Sequence, residues 1–144
     1  PNDQAPSGTR RRGLPTPRPS APSMTPPSAP SAAANTYGPF FASIGARYPG
    51  IDVAMLPVGA YAPRWFMRNM HMDPEEAVRA VRNVGARVMV PMHWGTFWLS
   101  SEPALEPIER TRSAWTAAGR DRRDLWDLAV GESRSLPANG KAPR

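Results

Sequence analysis

The sequence contains no cysteine and only two histidines, His71 and His93. Without cysteine, a disulfide framework and thiolate zinc sites are excluded. Metal or acid–base chemistry therefore depends on these two imidazoles and on carboxylates. No apolar run approaches the roughly 20 residues that span a bilayer, so no transmembrane segment is expected. The first residues also lack an apolar signal core. The expected location is cytoplasmic, with peripheral attachment to a membrane left open.

Large apolar side chains are scarce in the first thirty residues, which contain nine of the 19 prolines. Such a segment cannot bury enough apolar surface to offset the entropy lost on ordering. We therefore predict a disordered Pro/Ser/Ala-rich segment at 1–34 and a folded body at 35–136. A flexible tail follows at 137–144.

The formal net charge of +6 is unevenly distributed. The first thirty residues hold four arginines and one aspartate, and the tail adds Lys141 and Arg144. The body, with twelve arginines and eleven acidic residues, is nearly neutral. Flexible basic ends contact phosphate only weakly and in a salt-dependent way. We therefore expect no specific nucleic-acid partner.

The body alternates short apolar runs with amphipathic stretches, which predicts an α/β fold. A helix start at Asp73-Pro74 is indicated by an N-cap acid followed by proline. With apolar runs on both sides, this helix predicts a right-handed crossover between parallel strands. The predicted strands lie near 51–57, 87–92 and 125–130. The predicted helices lie near 73–84 and 107–118, with a short one over 40–44 ended by Gly45 and a long loop over 58–72.

His93 directly follows the second predicted strand. It therefore lies at the carboxyl end of that strand, where open α/β sheets bind their ligands. An imidazole there can bind a metal or move a proton near neutral pH. His71 lies in the long loop that leaves the first strand, so both histidines should meet at the same edge of the sheet. We expect Tyr61 and Trp94 beside them, and no carboxylate to complete a metal site.

Four separated blocks stand out along the body. They are Gly59-Ala60-Tyr61 with Pro63-Arg64-Trp65-Phe66-Met67, then Asp73-Pro74-Glu75-Glu76-Ala77 after His71, then His93-Trp94-Gly95-Thr96-Phe97, then Gly131-Glu132-Ser133-Arg134. In content and in order, these blocks resemble one family, the N-acylphosphatidylethanolamine-hydrolysing phospholipases D among the metallo-β-lactamase-fold hydrolases.

The resemblance implies an αββα sandwich, of which this chain would hold the C-terminal half. It also implies two Zn²⁺ ions per complete domain and zinc-dependent cleavage of a phosphodiester in a lipid such as N-acylphosphatidylethanolamine. His93 matches the last zinc-ligand histidine, and His71 matches a catalytic histidine near the metals that contacts the substrate's polar head. The acyl-binding loop of the family matches Tyr61, Trp65, Phe66 and Met72.

The sequence departs from the family at its main zinc motif, His-x-His-x-Asp-His, which is absent. Ala34 and Asn35 stand where the family has a bridging aspartate. Because a catalytic zinc needs about three protein ligands, the site in this chain is expected to be incomplete. The isolated chain is then expected to be inactive, with a complementing N-terminal half or a second copy of the chain (a homo-oligomer) as its expected partner. Two alternatives remain: a non-catalytic truncated remnant or half of a split enzyme, and another hydrolase of the superfamily acting on an ester, lactone or nucleotide phosphodiester.

Overall fold

The computed structural model describes residues 35–136. The segments predicted to be disordered or flexible, 1–34 and 137–144, lie outside the described residues. In chain order the elements are α1 (Phe40–Arg47), β1 (Val53–Pro57), α2 (Arg64–Met67), α3 (Pro74–Val84), β2 (Val88–Met92), α4 (Glu106–Ala117) and a 3-10 turn at Arg122–Asp124. None of the described helices is long and apolar enough to cross a membrane.

Strands β1 and β2 pair in parallel, with Val53 opposite Val88 and Pro57 opposite Met92. They form a two-stranded sheet within residues 35–136. Helix α3 makes the connection between them, as the sequence predicted. The predicted α/β class is thus confirmed, and the two strands end at the same edge.

Helix α3 begins where its capping residues predict. The side chain of Asp73 accepts a hydrogen bond from the Glu76 backbone N–H at 2.8 Å, and Glu76 accepts in return from the Asp73 backbone N–H at 3.2 Å. These bonds satisfy N–H groups that have no partner within the helix. The helix ends at Gly85, whose φ of 72° is left-handed and suits glycine.

The core lies between one face of the sheet and the helices. Helix α3 packs against α1, α4 and β1, and most of its apolar residues are buried. Trp115 of α4 and Leu125 close this core from the other side. The register places Met55 and Met92 on the outer face of the sheet. Met55 is 63% exposed there, whereas Val88 on the same face is fully buried.

The prediction of a third strand at 125–130 is wrong. Only Leu125 bridges to the sheet, through Met89, and the Trp126 N–H donates to the Met89 carbonyl at 2.8 Å. Beyond that bridge, Arg112 and Arg122 both pair with Asp127 at 2.7 Å. Val130 is 94% exposed and therefore lies outside the core. The alternating pattern predicted the burial of Leu125, but residues 125–130 do not pair continuously with a strand.

The expected end of the first helix at Gly45 is also wrong, because α1 continues to Arg47. A Cβ built on Gly45 would lie 2.3 Å from the Asn83 carbonyl oxygen. Glycine is therefore required there for close approach of α1 to the backbone of α3, and not for a helix cap. The long loop at 58–72 contains the single-turn helix α2, which the sequence did not predict.

Candidate functional site

Two loops leave the sheet edge in close contact. The Val58 N–H donates to the Met92 carbonyl at 2.9 Å, which extends the pairing one residue beyond β1. Gly59 then passes so near His93 that a Cβ on Gly59 would lie 1.8 Å from the His93 carbonyl oxygen. Ala60 and His93 both have a φ of 64°, in the left-handed region that non-glycine residues seldom adopt. The backbone beside His93 is thus tightly constrained from both loops.

The structure brings the two histidines together. The ring centroids of His71 and His93 are 6.0 Å apart, with an angle of 54° between the rings. Each Nδ1 atom is buried and has no hydrogen-bond partner among residues 35–136. Buried polar atoms are normally paired, so an unpaired Nδ1 on each of two neighbouring rings suits the binding of a ligand. Imidazole nitrogens are common metal ligands.

Burial lowers the pKa of His71, and the neighbouring His93 lowers it further, against the opposing effect of Glu102. The neutral imidazole is the form that coordinates a metal or accepts a proton. His71 is therefore kept in that form at neutral pH.

Arg64 fixes the backbone around His71. Its guanidinium donates to the His71 carbonyl at 2.8 Å and pairs with Asp73 at 3.2 Å. The same guanidinium pairs with Glu76. The His71 N–H donates to the Met67 carbonyl at 2.8 Å, at the end of α2. His71 is thus held between α2 and the start of α3.

Glu102 is a carboxylate in the same region that the sequence did not single out. It lines a small cavity together with His93, Ala60 and Trp94. Both of its oxygens, however, accept backbone or hydroxyl donors, so it is not oriented as a metal ligand. No local motif predicts a role for Glu102, because its hydrogen-bond donors, the N–H groups of Ala60 and Ala62, lie 42 and 40 positions away in the sequence.

The pKa of Glu102 is set by opposing effects. Burial raises it, but hydrogen bonds from Ser100 and from the backbone N–H groups of Ala62 and Ala60 outweigh burial. The pKa of the carboxyl therefore lies below its ordinary value. Glu102 is an ionised acceptor at neutral pH.

The four predicted substrate-binding residues fall into two pairs. Trp65 and Phe66 of α2 are exposed, Trp65 at 79%, and their ring centroids lie 5.7 Å apart. Tyr61 and Met72 are buried, and Met72 belongs to the core. The Tyr61 hydroxyl donates to Glu106 at 2.5 Å, and the Arg110 guanidinium lies 4.7 Å from the centre of its ring. Burial, reinforced by Glu106, raises the pKa of Tyr61.

Within the described part of the chain, no group of three or more His, Asp or Glu side chains is placed to hold a metal ion. The two histidines are suited to contribute to such a site, but these residues do not complete one. Further ligands would have to come from outside residues 35–136.

Comparison with known proteins agrees with the fold. Residues 34–94 match the family described as the beta-lactamase superfamily domain. With the α/β architecture, this match confirms the resemblance of this part of the chain to a metallo-β-lactamase-fold domain.

Individual relatives match part of the chain at moderate identity. An uncharacterized protein of Mycobacterium tuberculosis is 46% identical over 81 residues, or 54% of this chain and 21% of the relative. The N-acyl-phosphatidylethanolamine-hydrolyzing phospholipase D 1 of Caenorhabditis elegans is 40% identical over 90 residues, 62% of this chain and 24% of the relative. A metal-dependent hydrolase of Symbiobacterium thermophilum is 51% identical over 49 residues, 34% of this chain and 18% of the relative. The matched part of the chain thus spans less than a quarter of each of these relatives.

Proposed function

We propose that residues 35–136 are the C-terminal part of a two-sheet metallo-β-lactamase domain whose complete form is a zinc-dependent phosphodiesterase acting on a lipid such as N-acylphosphatidylethanolamine. The observation that supports this best is the pair of buried, unpartnered Nδ1 atoms on His71 and His93. They lie at the carboxyl edge of a parallel strand pair, where α/β proteins bind ligands.

In this proposal His93 is one ligand of a metal site completed by residues outside 35–136. Its position after the last residue of β2 fixes it to a rigid element, as a ligand requires. His71 lies 6.0 Å away between ring centroids and faces the substrate's polar head. Its neutral form suits acceptance of a proton or a hydrogen bond there.

Trp65 and Phe66 are proposed to line the acyl-binding groove, since their exposed rings offer apolar surface near the site. Tyr61 and Met72 would form its buried support: Tyr61 is fixed by Glu106, and Met72 is packed in the core. The lipid substrate is inferred from the printed function of the Caenorhabditis elegans relative. A fold can host several substrates, so hydrolysis of an ester, lactone or nucleotide phosphodiester is the alternative.

A complementation assay tests this function. The purified chain is mixed with zinc and a separately expressed N-terminal segment of a relative that carries the His-x-His-x-Asp-His motif. Release of phosphatidic acid from N-acylphosphatidylethanolamine vesicles is then measured. We expect turnover that is lost in His93→Ala, because a catalytic zinc loses one of about three protein ligands. Arg82→Ala, on the exposed side of α3, is the matched control and should leave turnover unchanged.

Each contrary result has a distinct meaning. Turnover that survives His93→Ala would remove His93 from the metal site. Turnover of an ester, lactone or nucleotide phosphodiester in place of the lipid would favour the alternative hydrolase. No turnover of any of these substrates would favour a non-catalytic remnant.

A further inference from the structure

The carboxylate of Glu102 joins two loops that are distant in sequence. One oxygen accepts the Ala60 N–H at 2.5 Å, and the other accepts the Ala62 N–H at 3.1 Å. The Ser100 hydroxyl donates to the second oxygen from within Glu102's own loop. Three donors therefore converge on one partly buried charge, and charge-assisted hydrogen bonds of this kind are the strong ones.

The backbone of the first loop is arranged to meet this carboxylate. Ala60 has a left-handed φ of 64°. Its N–H and that of Ala62 both point to Glu102. These hydrogen bonds to Glu102 are called the Glu102 clamp below. Gly59 lies between the clamp and β1, and its backbone comes close to the His93 carbonyl. A change in the clamp therefore reaches the backbone of His93 through a direct contact.

We propose that Glu102 is a positioning residue, whose carboxylate ties the loop after β1 to the loop after β2 and so fixes the backbone that carries His93. The importance of His93 rests on the proposed function, but the positioning itself is a property of the folded chain. A carboxylate is required because a glutamine has one oxygen and an NH₂ group, and the NH₂ would face a backbone N–H.

Nuclear magnetic resonance on the 144-residue chain without metal tests this role in Glu102→Gln. We expect amide hydrogen exchange at Ala60 and Ala62 to accelerate by about tenfold or more, since hydrogen bonds to a charged acceptor are lost. The carbon-bound proton signals of the His93 imidazole should shift with them, while exchange in the middle of α3 should stay unchanged. Glu109→Gln is the matched control, because Glu109 is exposed on α4 and should change none of these signals.

The proposal would be overturned if a folded Glu102→Gln chain showed faster exchange at Ala60 and Ala62 but unchanged His93 signals. Glu102 would then only satisfy its own loop contacts. Unchanged exchange at Ala60 and Ala62 would overturn it as well. These results involve neither zinc nor turnover, so they leave the hydrolase proposal standing, just as failed complementation leaves the positioning role standing.

Acidification of the unmodified chain tests the same clamp if Glu102→Gln does not fold. The folded-state pKa of Glu102 is depressed, so its contribution to stability is complete above the ordinary glutamate pKa and is lost as pH falls through the folded value. Protection of the Ala60 and Ala62 amides, relative to the intrinsic exchange rate at each pH, should therefore hold down to about pH 4.3, the ordinary value, and fall below it. Protection at Ala60 and Ala62 that outlasts protection in the middle of α3 on acidification would contradict the role.

Discussion

Replacing Trp115 with alanine should destabilise the chain by about 3–5 kcal/mol, the range for removing a large aromatic side chain from a core. Trp115 is fully buried between α4 and the core. Its indole N–H donates to the Asp121 carbonyl at 2.8 Å, and the Arg120 guanidinium lies 4.7 Å from its ring centre. The substitution leaves a cavity and removes one of the two hydrogen bonds that the Asp121 carbonyl accepts. The measurement is the free energy of unfolding by urea.

Trp98→Ala is the matched control, because Trp98 is 84% exposed in the loop after β2. Its free energy of unfolding should stay within about 0.5 kcal/mol of the unmodified chain. Since small domains have only about 5–15 kcal/mol in total, Trp115→Ala should remove a large share of the stability. Equal effects of the two substitutions would contradict the position of Trp115 in the core.

Replacing Gly59 with alanine should cost about 3 kcal/mol, at the upper end of the range for overpacking. The new Cβ would meet the His93 carbonyl oxygen at 1.8 Å and the His93 carbonyl carbon at 3.0 Å. These are backbone atoms, so no rotamer change relieves the contact. The loops must separate, and the His93 imidazole signals should move with them.

Gly119→Ala distinguishes this contact from a general effect of glycine loss. Gly119 has a φ of 68°, and a Cβ there meets nothing within 4 Å. Its cost should be about 1–2 kcal/mol, from left-handed backbone strain alone. A Gly59→Ala chain that is as stable as Gly119→Ala, with unmoved His93 signals, would show that the two loops do not approach as closely as described.

The sequence predicted the elements whose signals are local. The start of helix α3 was predicted from Asp73 and Pro74, each of which acts on the backbone next to it. The parallel pairing of β1 and β2 followed from that helix and from the two apolar runs on either side of it. The meeting of His71 and His93 followed in turn, because parallel strands end at the same edge.

The features that were wrong or missed depend on distant partners. The need for glycine at position 45 comes from the backbone of α3 at Asn83. The pairing of Leu125 with the sheet depends on a single bridge to Met89. Glu102 receives its hydrogen bonds from a loop some 40 residues earlier, which no spacing rule connects to it. The roles of Tyr61 and Met72 in a substrate groove stay predictions.

We propose that this chain supplies His93 to a metal site whose other ligands lie elsewhere, with His71 beside that site. The most direct test is the zinc content of the purified 144-residue chain after dialysis, measured by mass spectrometry of the metal. We predict far less than one zinc per chain, because His93 is the single ligand proposed here and a catalytic zinc needs about three. One or two tightly held zinc ions per chain would contradict the account and place a complete metal site within this sequence.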